Sequence, residues 1–298
     1  MSVLDRGTSR KGPALSTVRP PRGGTGTKRR RPPVGILLAF AVFAVLVVVS
    51  LVPDLVSGDP LDGNPAQAFQ PPSGEHLLGT DQLGRDLYSR LVHGAFASLS
   101  LGIGATLIGL FGGALLGVAA GYARGTVDRI ITRLLDVLLA FPEVLVALLA
   151  ITVLGPGQWS LVLAVGLGRI PGAARLVRAQ VQQVRSAPFV AQSIGLGLTP
   201  AQILQRHIVP NSLGPVLVHT VLGVGVCIIF GAGLSFLGLG AVPPSPEWGL
   251  MLSEARQYLS VAPWLAIWPG LAITAAVVSV TLSGRWLQQE YLTRRSAT

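Results

Sequence analysis

Charge is scarce in this chain. Asp, Glu, Lys and Arg make up 12% of its 298 residues, against about 25% in a soluble domain, and the mean hydropathy is +0.60. That deficit excludes an ordinary water-soluble domain and leaves lipid as the solvent. Cysteine occurs once, as Cys227, which excludes an intrachain disulfide framework. The 23 basic residues include two lysines, Lys11 and Lys28. Neither completes the G-x-x-x-x-G-K-[ST] phosphate loop, so energy has to come from another chain or from a gradient. The histidines, His76, His93, His207 and His219, lack metal-ligand spacing and form no H-E-x-x-H. Ser235 lacks the second glycine of the G-x-S-x-G elbow. No catalytic residue, metal or cofactor of the chain's own is therefore expected.

Long uncharged runs are abundant, at 34–53, 91–123, 144–168, 207–246 and 257–284. A spanning helix needs roughly 20 apolar residues, which suggests spans near 34–52, 95–121, 130–153, 158–178, 213–236 and 263–285. The expected class is an all-α polytopic membrane protein with six transmembrane helices. The first run is longer than a signal-peptide core and no small-x-small site follows it, so it reads as an uncleaved span. Residues 1–33 hold nine basic residues and one acid, Asp5. Their Pro, Gly, Ser and Thr content predicts a disordered cytoplasmic tail. Its Lys28-Arg29-Arg30-Arg31 run abuts the first span and fits a topology signal better than contact with acidic lipid; nucleic acid is not an expected partner.

The loops obey the positive-inside rule. Residues 53–94, carrying six acids against Arg85 and Arg90, and 237–262, with Glu247 and Glu254, are expected outside. The turn at Arg124 and Arg129, the stretch 175–212 with Arg175, Arg178, Arg185 and Arg206, and the C-terminal tail 286–298 are expected inside. Both termini would then be cytoplasmic. The outer segment 53–94 reads either as a small external element or as a re-entrant cover. Trp159, Trp264 and Trp268 fall at outer edges and Trp286 at an inner one, with Trp248 in the outer loop. Gly109, Gly113, Gly117 and Gly121 share one helix face and predict a close packing seam, within the chain or with another subunit.

The stretch FVAQSIGLGLTPAQILQRHIVPN (residues 189–211) is a polar loop with helix signals built in. Pro188 suits a first helical position, and Gly197 a left-handed stop. Thr199-Pro200-Ala201-Gln202 reads as a capping box, and Pro210 as the end of the second helix. Ile203, Leu204 and Ile208 form an apolar face, with Gln205 and Arg206 polar. The hairpin is either a docking surface or a cover for the bundle's inner face.

This pattern resembles the coupling loop of ABC-importer permeases, where Glu-Ala-Ala, three residues and a glycine precede an I-x-P. Gly197 stands for the glycine and Ile208 for the isoleucine, followed by Pro210. Residues 76–99 (HLLGTDQLGRDLYSRLVHGAFASL), 121–142, 234–252 and 262–273 resemble the dipeptide/oligopeptide/nickel permease family, in its order. Ala191-Gln192-Ser193 replace the family's Glu-Ala-Ala. Gly284-Arg285 and Gln288-Gln289 replace its acidic C-terminal pattern. The resemblance implies a permease core at 95–285 containing the coupling loop 186–211. It further implies a second homologous permease, two ABC ATPases holding ATP and Mg, an extracytoplasmic solute-binding protein and a bacterial inner membrane. The ATPase-coupling residues implied are Phe189, Val190, Ala191, Gln192, Ser193, Gly197, Thr199, Pro200, Arg206, His207, Ile208 and Pro210. The function implied is import of peptides or a similar small solute. A gradient-driven transporter and a membrane scaffold are the alternatives.

Two acids fall inside the third span. Asp136 and Glu143 are seven residues apart, hence on one helix face. Charges in such places are costly and often functional. Either could line the translocation path, or Glu143 could pair structurally with Arg169.

Overall fold

The computed structural model describes residues 33–123 and 125–295. The basic tail with its Lys28–Arg31 run, Arg124, and residues 296–298 lie outside the described residues. Helix α1 (Val34–Leu51) is apolar on all sides and is followed by an irregular segment reaching residue 86. Helix α2 (Leu87–Tyr122) begins at Leu87 rather than near residue 95, because the Asp86 carboxylate caps it by accepting from the Ser89 N–H. Then come α3 (Thr126–Ala140), α4 (Glu143–Leu154), α5 (Gln158–Arg185), α6 (Pro188–Gly195) and α7 (Pro200–Ile203). Helices α8 (Val209–Phe236), α9 (Trp248–Ala255) and α10 (Trp264–Arg295) complete the chain. Among the described residues, β pairing is limited to two isolated bridges, Gly63 with Arg85 and Thr80 with Asp86.

The third expected span is not one straight helix. It breaks between α3 and α4 with a 93° bend. Pro142 forces the residue before it out of the helical region, and Phe141 is extended (φ −88, ψ 139). Helix α3 turns Asp128 and Asp136 toward α5, where Arg178 and Arg175 bind them, and leaves Val127, Ile130, Leu134 and Val137 exposed.

The glycine face of α2 lies against α5 of the same chain. A Cβ at Gly109 would sit 2.7 Å from that of Arg169, at Gly113 2.5 Å from that of Ala173, at Gly117 2.6 Å from that of Val177 and at Gly121 2.8 Å from that of Val181. Each partner lies 60 positions along, so α2 and α5 run parallel. The chain must therefore return from the end of α2 to the start of α5 through α3 and α4. Among the described residues, five helices are individually long and apolar enough to cross a membrane, and the bent pair makes six where it serves as one span, as the parallel run of α2 and α5 requires.

Helix α10 runs antiparallel to α8, as Gly225 meets Val280 and Gly284 meets Val221, and Trp286 near its end touches Phe40 near the start of α1. Both ends of the described chain thus lie at the same end of the bundle as the 186–211 hairpin. Helix α10 continues into the expected C-terminal tail.

At the opposite end residues 53–86 are folded onto the bundle. Asp81, Arg85 and Arg90 are buried, with Arg85 Nε 2.6 Å and Arg90 Nη1 3.2 Å from Asp81 Oδ2, and Arg90 Nη2 3.0 Å from Glu254. Trp264 donates to the Thr80 carbonyl and the Phe69 ring packs at a tilt against that of Tyr258. Trp248, read from sequence as an outer-loop residue, is 1% exposed; its indole donates to the Leu91 carbonyl.

Candidate functional site

Two regions hold most of the coupling and path residues singled out from the sequence: the hairpin at one end and a cavity at the α3–α4 break.

The hairpin is built by its termination signals. Gly197 takes φ +82. The Gly197 N–H bonds to the Ile194 carbonyl and the Leu198 N–H to the Ser193 carbonyl, the paired bonds of a Schellman stop. Thr199 then caps α7. Its Oγ1 accepts from the Gln202 N–H at 3.3 Å, and Gln202 Oε1 accepts from the Thr199 N–H at 2.9 Å. Pro210 does not end a helix. The chain passes through a π segment (Leu204–Ile208) directly into α8, the Val209 N–H reaching back to the Leu204 carbonyl. This wider turn accommodates a proline that has no N–H to give.

The apolar face assigned to the second helix is turned inward. Ile203 and Ile208 are buried with Val177, Val181, Val190 and Val216. The exposed apolar side chains come from the first helix and the turn: Phe189 at 41%, Ile194 at 61% and Leu196 at 81%. Ala191, Gln192, Pro200, Arg206 and Pro210 are also exposed, whereas Val190 and Ser193 are buried. His207 packs against Phe189 with ring centroids 6.3 Å apart. The hairpin is tied to the bundle at its root. Tyr122 at the end of α2 donates to the Pro200 carbonyl at 2.9 Å. Arg185 at the end of α5 donates to the Tyr122 carbonyl at 2.6 Å and lies over the Tyr122 ring.

A cavity of about 380 Å³ opens beside the break, lined by residues including Thr106, Phe141, Glu143, Arg169, His219 and Gly223. Glu143 opens α4, and its carboxylate lies 3.8 Å from Arg169 Nη1. Asp136 is not on the cavity wall. The bend separates it from Glu143, and it pairs with Arg175 at 2.6 Å on an exposed face. Sharing one straight helix face was the premise for grouping the two acids, and Pro142 removes it. Among the described residues, no three His, Cys, Asp or Glu side chains converge to hold a metal ion.

Sequence reasoning overlooked Glu247, counting it only as outer-loop charge. It is 1% exposed. It accepts from the N–H groups of Gly249 and Leu250 at 2.8 Å each and from the hydroxyls of Ser98 and Ser235. One carboxylate thereby caps α9 and joins it to α2 and α8. Its position, immediately before Trp248-Gly249, was a weak signal, since Glu is not a favoured cap.

Residues 113–296 match the family described as "Binding-protein-dependent transport system inner membrane component". A dipeptide transport system permease protein, DppC, of Alkalihalophilus pseudofirmus is 38% identical over 255 residues, covering 86% of this chain and 83% of that protein. A glutathione transport system permease protein, GsiD, of Pectobacterium atrosepticum is 44% identical over 217 residues, covering 73% and 72%. Among solved structures, an inward-facing MetNI methionine ABC transporter matches with a TM-score of 0.55 at 16% identity, over 67% of this chain and 96% of that one. That likeness is one of fold.

Proposed function

The chain belongs to the binding-protein-dependent transport system inner membrane component family, and on that footing we propose that it pairs with a second, homologous permease to import peptides or a similarly sized solute. The names of its relatives, one a dipeptide and one a glutathione permease, support that substrate range. Two ABC ATPases, binding ATP and Mg, drive the cycle from the 186–211 hairpin. A solute-binding protein delivers the substrate at the opposite face, over residues 53–86 and 237–262. The subunit carries out no chemistry itself. It sits in a bacterial inner membrane with the hairpin and both termini in the cytoplasm, the orientation favoured by the positive-inside rule.

The observation that carries this reading is the hairpin's construction. A rigidly terminated pair of short helices presents Phe189, Ile194 and Leu196 outward, while its root is bonded to the ends of α2 and α5. Such a lever can pass a displacement at the surface to the helices around the cavity, biasing a two-state bundle from a remote site. In this setting Ala191, Gln192 and Ser193, in place of Glu-Ala-Ala, supply no acidic contact to the ATPase.

Purification from native membranes through a C-terminal tag, with partner identification and an ATPase assay, tests this reading. The expected result is a stoichiometric ATPase whose hydrolysis depends on the hairpin. In Gly197→Val, a β-branched side chain must occupy φ +82 with no neighbour within 4 Å of its Cβ. The change therefore reports on backbone conformation alone, at a cost of about 1–2 kcal/mol, and should reduce stimulated hydrolysis. Recovery without any ATPase, from membranes that keep such complexes intact, would instead support a gradient-driven transporter or a scaffold.

A further inference from the structure

We propose that Glu143 and Arg169 form an intramembrane binding point for a zwitterionic solute, Arg169 receiving its carboxylate and Glu143 its ammonium group. The inference rests on the importer reading above and names the chemistry that its path would select.

The two charges behave unlike the other ion pairs of the bundle. Arg178 grips Asp128 through two bonds of 2.7 and 2.9 Å, and Arg175 meets Asp136 at 2.6 Å. Those short, directional pairs hold α3 against α5. Glu143 and Arg169 approach only to 3.8 Å, beyond hydrogen-bond reach. Their side chains remain 37% and 27% exposed and line the cavity beside the break. Charges inside membrane helices are expensive and ordinarily bonded tightly to one another. A loose pair facing open space keeps hydrogen-bonding capacity for something else.

The surrounding backbone leaves room for these two side chains. A Cβ at Gly168 would lie 3.3 Å from Glu143 Cγ, one at Gly223 3.4 Å from Arg169 Nη2, and one at Gly109 2.7 Å from Arg169 Cβ. Three glycines from α2, α5 and α8 thus make space for a carboxylate and a guanidinium at one depth. The cavity, about 380 Å³, falls in the range of roughly 300–1,000 Å³ that small-molecule sites occupy, adequate for a short peptide.

Charge balance sets the selectivity. The empty pair is neutral, so it can persist in a low-dielectric setting. A zwitterion brings one charge of each sign and leaves the site neutral throughout. A solute with a single net charge would leave one group uncompensated. A guanidinium fork suits a carboxylate in particular.

The test uses the full transport complex with its binding protein in proteoliposomes, with Ala-Ala and Ala-Ala-Ala as probes at limiting concentration. Glu143→Gln and Arg169→Gln should each lower uptake per folded complex about tenfold to a hundredfold, as expected for one lost charge-assisted contact. The double variant Glu143→Gln/Arg169→Gln should be no better than the worse single one. A purely structural pair behaves oppositely, because removing both charges together relieves the isolated one. Rescue by the double variant, or single variants within twofold of wild type, would overturn the proposal. Should the glutamine variants not assemble, Glu143→Asp and Arg169→Lys decide by the same readout: a loss of tenfold or more supports it, and uptake within twofold of wild type overturns it. A wild-type complex that hydrolyses ATP but imports neither probe sinks the peptide reading itself, and this inference with it. Wild-type uptake with indifferent variants sinks this inference alone.

Discussion

Glu247 shows how much one side chain can hold. Its carboxylate accepts from two backbone N–H groups and two hydroxyls on three helices. Glu247→Ala strips every one of these donors of its partner inside a buried site. Loss of the cap and of the buried bonds should together cost roughly 2–4 kcal/mol. We expect a clear drop in the thermal midpoint of the purified complex, and a smaller one for Glu247→Gln, which keeps an acceptor oxygen. An unchanged midpoint in the alanine variant would remove Glu247 from this role. Sequence did not reveal it, because burial is a property of the neighbours: Ser98 is 149 positions away. Gly197 is the contrary case. Its left-handed geometry follows from local chain chemistry, and the capping box beginning at Thr199 is formed as the residue types indicate.

At the scale of elements, the α2–α5 seam depends on the absence of side chains. Gly113→Ala would set a Cβ 2.5 Å from that of Ala173 and 2.9 Å from the Ala174 nitrogen. Neither atom can swing away, so the helices must separate. Overpacking of this kind costs about 1–3 kcal/mol. A Cβ added at Gly233 in α8 would meet nothing within 4 Å, so Gly233→Ala should be neutral or slightly stabilising, since alanine favours helix. Thermal unfolding of the two variants in detergent provides the comparison; equal midpoints would mean that the seam tolerates expansion. The four-residue spacing announced a close helix partner, while its identity as α5 awaited the fold. The inward turn of Ile203 and Ile208 was equally hidden. An amphipathic helix shows that it has an apolar face, not whether that face meets the bundle or a visitor.

For the whole molecule, the parallel run of α2 and α5 requires that α3 and α4 together recross the membrane despite their bend. This makes topology measurable. Cys227 is the single cysteine and is buried, so Cys227→Ala provides a cysteine-free background. A membrane-impermeant maleimide should label Asp62→Cys in intact cells and Leu196→Cys only after the membrane is opened. Labelling of both from one side would mean that the six-crossing path is wrong. The segment 53–86, expected from sequence either as an external element or as a cover, is secured by the buried Asp81, Arg85 and Arg90 and their partner Glu254, which pack it onto α2 and α9.

Although Pro210 does not end a helix, residues alone were enough for the lipid solvent, the helical class, the left-handed stop at Gly197, the capping box at Thr199 and the family. Each of these is a local or additive property: hydropathy summed over a window, a proline or glycine at a cap, a motif read in order. Tertiary structure decided which charges stand together, the Glu143–Arg169 pair being one that the sequence had already raised. Pro142 bends the third span, sends Asp136 to Arg175 and leaves Glu143 beside Arg169 at a cavity. The physical reason is that a pair's separation and exposure depend on the relative placement of helices distant in the chain. In a membrane that placement is set by steric fit between helix faces, which no single segment encodes.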